Sequence, residues 1–187
     1  MKDYLKMPQT IAFVGLGQMG GSLARSVAKN IPNAKLLAYS PFPEEQEELK
    51  NSGLFQLVSD KPEEIVGQAD FTFLSQPIPV IIDFVENYVK DFKKGSIVTD
   101  ISSIKSDVID AVRPLFAEQG IHFIGSHPMA GSEKSGFANS SNTLYDNAVT
   151  FVCSFCTDDP AAINIVREVW RELNCRPVEI DAIVHDD

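Results

Sequence analysis

The sequence predicts an α/β fold in which a doubly wound, mainly parallel sheet is covered by helices on both faces. Two observations lead to this prediction. Short apolar runs alternate with stretches of helical length along the whole chain, as they do in repeated strand–helix–strand units. A glycine-rich turn, GLGQMG, stands between the first apolar run and the first helical stretch, where such sheets bind nucleotides.

The first half of the chain follows this alternation closely. The predicted elements are a strand at 11–16, a helix ending near Asn30, a strand at 35–40, a helix in PEEQEELKNSG, a short strand at 55–58, a helix opening at PEEIV, a strand at 70–75 and a helix at 80–92.

The second half continues the pattern with one long interruption. The segment GSHPMAGSEKSGFANSS (125–141) is rich in glycine and serine and predicts a loop. The predicted elements around it are a strand in SIVTDIS, a helix from about Ser103 to Glu118, a strand in IHFIGS, a strand in AVTFVCSF, a helix across PAAINIVREVWREL and a strand in RPVEI. The final residues, DAIVHDD, predict the start of another element.

Composition narrows the class of protein. A chain of 187 residues fits one domain. A net charge of −10 with scattered basic residues argues against nucleic acid as a partner. No window approaches the roughly 20 apolar residues of a membrane span, and the start lacks a signal peptide. We therefore expect a cytoplasmic protein with a small-molecule substrate, without nucleic-acid or membrane partners.

The cysteines indicate thiols and no obvious metal or redox site. Cys153 and Cys156 form a CxxC within an apolar run, and at this spacing on a strand their side chains point to opposite faces. We interpret them as buried or half-buried thiols, although a redox or metal pair is the alternative. HxxxH, HExxH and CxxC-to-His spacings are missing from the sequence, which predicts no metal.

The glycine turn predicts a dinucleotide site. Gly15 permits the tight turn, Gly17 lets a pyrophosphate approach the backbone, and Gly20 lets the following helix pack on its strand. The backbone of Gln18 and Met19 begins that helix, whose positive end faces the anion. Glycines that only make a turn are the alternative, but the flanking strand and helix favour a Rossmann-type nucleotide-binding domain.

Ser40 occupies the position where an acidic residue commonly accepts hydrogen bonds from the adenosine ribose. A serine suits either the 2′-hydroxyl of NAD or the 2′-phosphate of NADP. The surrounding segment has no Lys or Arg between Leu36 and Leu49, and it contains four glutamates, Glu44, Glu45, Glu47 and Glu48. This acidity favours NAD, while NADP stays possible.

Polar residues follow the predicted strands, where ligands of doubly wound sheets bind. Ser75, Ser102 and Ser103 stand at such ends and predict a polar cleft, with Ser75 and Ser102 toward the cofactor. The alternative is that each hydroxyl only completes a turn or caps a helix. His127 ends its predicted strand, and Pro128 biases it toward an extended backbone that points its ring outward.

His127 is the best candidate for a catalytic base. A histidine that titrates near neutrality beside a nicotinamide can remove a hydroxyl proton as hydride leaves the same carbon. The other two histidines are weaker candidates, because His122 lies inside a predicted strand and His185 lies in the final segment. The sequence therefore predicts an NAD(P)-dependent oxidoreductase that oxidises an alcohol.

Five segments, GLGQMGGSLA, LSQPI, DISSIK, GSHPMAGSEKSG and NTLY, resemble the prephenate dehydrogenase family, which includes the arogenate and cyclohexadienyl dehydrogenases. The resemblance implies oxidative decarboxylation of prephenate to 4-hydroxyphenylpyruvate, or of arogenate to tyrosine, within tyrosine biosynthesis. It implies that His127 is the catalytic base and that Ser103 shares a hydrogen bond with the substrate hydroxyl. By the same resemblance, Ser132 and Glu133 face the substrate, and Ser75 and Pro77 lie along the cofactor.

The resemblance also implies a division of the protein. Residues 1–180 match the NAD(P)-binding domain that carries the catalytic histidine, and residues 181–187 resemble the start of a helical dimerisation domain that supplies further substrate contacts and forms a homodimer. The chain alone would then have low activity. Two alternatives stay open, namely a 3-hydroxyisobutyrate-type β-hydroxyacid dehydrogenase and a non-catalytic regulatory module that binds a dinucleotide.

Overall fold

The computed structural model describes residues 7–186. Nine strands and six α-helices succeed one another in these residues, in the alternation that the sequence predicts except for β7, which begins inside the predicted loop. They are β1 Thr10–Val14, α1 Gln18–Asn30, β2 Lys35–Tyr39, α2 Pro43–Asn51, β3 Leu57–Ser59, α3 Pro62–Ile65, β4 Phe71–Leu74, α4 Ile78–Tyr88, β5 Ile97–Asp100, α5 Ser106–Glu118, β6 His122–Phe123, β7 Gly125–Pro128, β8 Val149–Ser154, α6 Pro160–Glu172 and β9 Arg176–Asp181.

The main sheet has six parallel strands in the order β3-β2-β1-β4-β5-β6. Successive residues of β1 point to opposite faces, so Ile11 and Phe13 join a core with α1 and α6, whereas Ala12 and Val14 join a core with α4 and α5. Both faces of the sheet are therefore covered by helices, which confirms the predicted Rossmann-type α/β fold. None of the helices within residues 7–186 is long and apolar enough to cross a membrane.

A second sheet holds β7, β8 and β9, and it changes one prediction. The run IHFIGS was predicted as one strand with His127 at its end, but the chain leaves the main sheet after Ile124. Residues 125–128 instead pair antiparallel with β8, so that His127 faces Phe151 in the register, while β8 pairs parallel with β9. His127 thus lies inside β7 and not just after a strand.

Helix α5 begins at Ser106 and not at Ser103. The carboxylate of Asp186 accepts hydrogen bonds from the backbone N–H groups of Lys105 and Ser106, which helix formation leaves without an intrahelical partner. This contact comes from a residue far away in the sequence. Residues 182–186 form turns after β9, and the prediction that 181–187 opens a helical domain stays a prediction, with Asp187 outside the described residues.

Candidate active site

A cleft of about 540 Å³ opens at the carboxyl ends of β1, β2 and β4. The strand order reverses direction between β1 and β4, and such a switch point is where open α/β sheets bind ligands. Two turns supply much of its wall, one after β1 and one after β4. The residues that line it include Gly15, Gly17, Phe42, Glu45, Ser75, Gln76, Pro77 and Asp83.

The glycine turn has the shape of a phosphate cradle. Gly15 has a φ of +90°, and a Cβ there would lie 2.6 Å from the Gln76 side chain, so only glycine fits. A Cβ on Gly20 would overlap the Gly15 carbonyl oxygen, whereas one on Gly17 would enter open space. Gly17 also precedes α1 without a side-chain cap. The first N–H groups of α1, from Gln18 to Gly20, are therefore available to an anion.

Polar atoms beside the cradle lack partners within the described chain. Gln18 Oε1, Ser75 Oγ and Gln76 Oε1 are buried without a hydrogen bond, and Ser75 and Gln76 line the cleft. Burying a polar atom without a hydrogen bond costs free energy, so we expect a bound ligand to supply the partners of these atoms. The cradle and these atoms together fit a dinucleotide that approaches the backbone at Gly17.

Ser40 occupies its predicted position directly after β2, but its hydroxyl does not face the cleft. The residue is 1% exposed, and its Oγ donates to the Glu45 carboxylate at 2.6 Å while accepting the Phe42 N–H at 3.2 Å. Glu45 and Phe42 line the cleft. The sequence showed an acidic segment here, but it could not single out Glu45 as the glutamate that lies against Ser40.

His127 lies beyond the carboxyl edge of the main sheet and belongs to a chain of polar groups. Its Nδ1 is 3.1 Å from His185 Nε2, and His185 Nδ1 is 2.7 Å from an Asp186 carboxylate oxygen. A carboxylate only accepts, so when both rings are neutral His185 Nδ1–H donates to Asp186 and its Nε2 accepts from His127 Nδ1–H. The remaining nitrogen of His127, Nε2, is then free of a proton and can act as a base.

The pKa values agree with this order of donors. Burial lowers the pKa of His127 below its usual range, and the neighbouring His185 and Lys105 lower it further against the opposing effect of Asp100 and Asp186. Burial alone would raise the pKa of Asp186, but hydrogen bonds from Ser106, Lys105 and His185 hold it well below the usual value. At neutral pH, Asp186 is charged and His127 is neutral.

A buried ion pair connects β5 to the strand of His127. Lys105 is fully buried, and its ammonium group donates to the Asp100 carboxylate and, at 2.9 Å, to the Ser126 carbonyl oxygen. The Ser102 N–H also donates to Asp100 at 3.0 Å. Ser102 is therefore a partner of Asp100 and does not line the cleft at β1, while Ser103, the next residue, is exposed in the same loop.

The long loop has two parts with different surroundings. Ser132 and Glu133 are exposed, and Ser132 Oγ accepts the Lys134 N–H at 3.2 Å. Beyond Gly136 the loop packs on α1, with Phe137 so close to Gly21 that a Cβ there would lie 2.6 Å away. Tyr145 OH also donates to the Met19 carbonyl oxygen at 3.0 Å. The structure anchors the second part and leaves the predicted substrate residues open to solvent.

The three cysteines are free thiols in the described structure. Cys153 and Cys175 are buried, and Cys156 is exposed beyond the end of β8, so the interpretation of Cys156 as buried or half-buried is wrong. Burial raises the pKa of Cys153 to about 12. Residues 7–186 show no group of three or more His, Cys, Asp or Glu side chains that could hold a metal ion.

Comparison with known proteins identifies relatives of this chain. The family model "Prephenate dehydrogenase, nucleotide-binding domain" matches residues 23–179. The chain is 31% identical over 180 residues to a prephenate dehydrogenase of Lactococcus lactis subsp. cremoris, covering 94% of this chain and 48% of that protein. The chain thus spans about half the length of this relative. A mouse 3-hydroxyisobutyrate dehydrogenase matches less of the chain, with 29% identity over 141 residues, which cover 72%.

Two solved structures share the fold closely. A prephenate dehydrogenase from A. aeolicus, in complex with hydroxyphenyl propionate and NAD+, superposes with a TM-score of 0.88 at 25% identity, over 98% of this chain and 63% of that one. A Synechocystis arogenate dehydrogenase gives a TM-score of 0.86 at 25% identity, over 95% and 61% of the two chains.

Proposed function

The chain belongs to the prephenate dehydrogenase family, and from this premise we propose that it is the cofactor-binding and base-carrying part of an enzyme that oxidises prephenate or arogenate. Members of this family are NAD-binding dehydrogenases, as the NAD+ in the A. aeolicus structure illustrates. The observation that carries the proposal is His127, whose Nδ1 lies 3.1 Å from His185 Nε2, which leaves Nε2 as the nitrogen that can act as the base.

Each candidate residue has a role in this proposal. His127 Nε2 takes the proton of the substrate's ring hydroxyl, while His185 holds the opposite side of the ring through Nδ1. Ser103, exposed after β5, donates a hydrogen bond to the same hydroxyl oxygen. A bound dinucleotide supplies the nicotinamide that accepts the hydride. Ser75 and Pro77 contact the cofactor from the turn after β4, where both line the cleft.

The chemistry of the substrate explains why a single base suffices. Removing the hydroxyl proton and a hydride from one carbon turns the ring alcohol into a ketone. The ring carboxylate then leaves as CO2, and the electron pair of its C–C bond moves into the ring, which becomes aromatic. The products are 4-hydroxyphenylpyruvate from prephenate and tyrosine from arogenate, so the reaction belongs to aromatic amino acid biosynthesis.

The remaining substrate contacts are proposed to come from outside this chain. Prephenate is a dianion, and the chain carries a net charge of −10. The L. lactis relative is about twice as long as the matched region. Exposed apolar side chains flank the two histidines, namely Met129, Ile183 and Val184, and they suit a packing surface for a further domain. We propose that this domain closes over Ser132 and Glu133 and forms the homodimer.

Calorimetric titration and turnover measurements test the proposal. We expect the chain to bind a nicotinamide dinucleotide, and we expect the full-length protein containing it to form reduced cofactor with prephenate or with arogenate. Oxidation of 3-hydroxyisobutyrate in place of both would identify the alternative dehydrogenase. Tight cofactor binding without turnover of any of the three substrates would identify a regulatory module, and either result would contradict the proposal.

A further inference from the structure

We infer that Glu45 takes over the task of the acidic residue usually found after β2 and makes the cleft select NAD against NADP. The inference rests on the proposed function, because it assumes that the cleft binds a nicotinamide dinucleotide. It adds a specificity-determining residue that lies five positions from the usual one and on a different element, the first turn of α2.

Ser40 holds the Glu45 carboxylate in place. The buried Ser40 hydroxyl donates to Glu45 at 2.6 Å and accepts the Phe42 N–H at 3.2 Å. The Ser40 carbonyl oxygen accepts from the Gln46 side chain at 3.1 Å. The start of α2 is thus bonded to the end of β2. The carboxylate therefore lies beside the carboxyl end of β2, where dinucleotide-binding sheets place the adenosine ribose.

The charged side chains around the cleft favour NAD over NADP. Among residues 7–186, the charged side chains that line it are Glu45 and Asp83, and both are acidic. A carboxylate accepts a hydrogen bond from the 2′-hydroxyl of NAD. The 2′-phosphate of NADP would instead meet a like charge with no Lys or Arg in the described lining to offset it.

Phe42 completes the surroundings of a nucleoside. Its side chain is 60% exposed, although it is large and apolar, and it lines the cleft beside Glu45. An exposed aromatic ring offers a flat apolar surface to an adenine base. The acidic and the aromatic side chains therefore stand together where an adenosine would lie.

Replacing Glu45 tests the inference by binding alone. Glu45→Gln removes the charge and keeps a side-chain oxygen for Ser40. We expect the ratio of the Kd for NADP to the Kd for NAD, measured by calorimetry on the chain, to fall by about tenfold or more. Glu47→Gln is the matched control, because Glu47 is exposed on the same helix and does not line the cleft; we expect the ratio to stay the same.

Ser40→Ala tests whether Ser40 acts by positioning the Glu45 carboxylate or only by supporting the fold. Without the hydroxyl the Glu45 side chain loses its anchor, so we expect the same ratio to fall by a smaller factor, about threefold. A purely structural effect would weaken both cofactors equally. The inference is overturned if the wild-type chain binds both cofactors equally well, or if Glu45→Gln leaves the ratio unchanged. A wild-type chain that binds neither cofactor would overturn the proposed function as well.

Discussion

The cofactor cleft and the surroundings of His127 lie at the same edge of the molecule, but they are built from different ranges of sequence. The cradle comes from one short turn after β1, and a second short turn after β4 packs against it. The base side joins Asp100, Lys105, His127 and His185 with Asp186, which is 81 residues from Lys105. The cofactor cleft therefore depends on local backbone shape, whereas the surroundings of His127 depend on buried charges that folding brings together.

Breaking the buried ion pair should have the largest effect, and it should act on the base side. Asp100→Ala leaves the Lys105 ammonium group buried without its carboxylate, so we expect the free energy of unfolding to fall by about 3–5 kcal/mol. Chemical denaturation measures this. Lys93→Ala, which removes an exposed ion pair with Asp70, is the control and should cost less than about 1 kcal/mol. Equal losses in the two variants would contradict the prediction.

Removing the base should affect turnover and leave the cofactor side intact. In the full-length protein, we expect His127→Ala to lower kcat by about 10²-fold or more, the loss typical of a general base, while the Kd for NAD stays within a few fold. Steady-state kinetics and calorimetry measure the two quantities. His122→Ala, on the edge strand β6, should retain kcat. Unchanged turnover in His127→Ala would rule out its role as the base.

A substitution in the cradle should do the opposite: it should weaken binding of the cofactor and leave the rest of the protein intact. A Cβ at position 17 meets nothing in the chain, so Gly17→Ala should keep its melting temperature. The methyl group would still occupy space next to the pyrophosphate, and we expect NAD to bind about tenfold more weakly. Gly131→Ala, also in open space but in the long loop, should change neither quantity. Normal NAD affinity in Gly17→Ala would show that the cofactor does not approach this turn.

The smallest expected effect is the dependence of stability on pH. Because the pKa of His127 is lower in the folded chain than in the unfolded one, the unfolded chain binds more protons as pH falls below about 6.5. Folding stability should therefore decrease between pH 7.5 and 5.5. We expect His127→Gln to lose less stability over this range in thermal denaturation. An identical decrease in both proteins would assign the effect to other groups.

The fold and the cradle could be predicted because their signals are local. Alternating apolar and helical stretches describe β1 to α6, and the glycine turn is local too, with Gly15 required by its backbone angle and Gly20 by close packing on Gly15. The ends of the strands depend on pairing with distant segments. The run IHFIGS looks like one strand, but pairing with β8 divides it at Ile124. No residue in the run indicates that its second part pairs with β8.

The sequence by itself determined the Rossmann-type architecture, the dinucleotide cradle and His127 as the candidate base. Tertiary structure alone decided that Glu45 lies against Ser40, that the Asp186 carboxylate accepts backbone N–H groups at the start of α5, and that His185 contacts His127. The physical reason is the sequence separation over which each interaction acts. Backbone propensity and glycine sterics act over a few neighbouring residues, whereas a hydrogen bond to a distant side chain exists only after the sheet and its helices have packed.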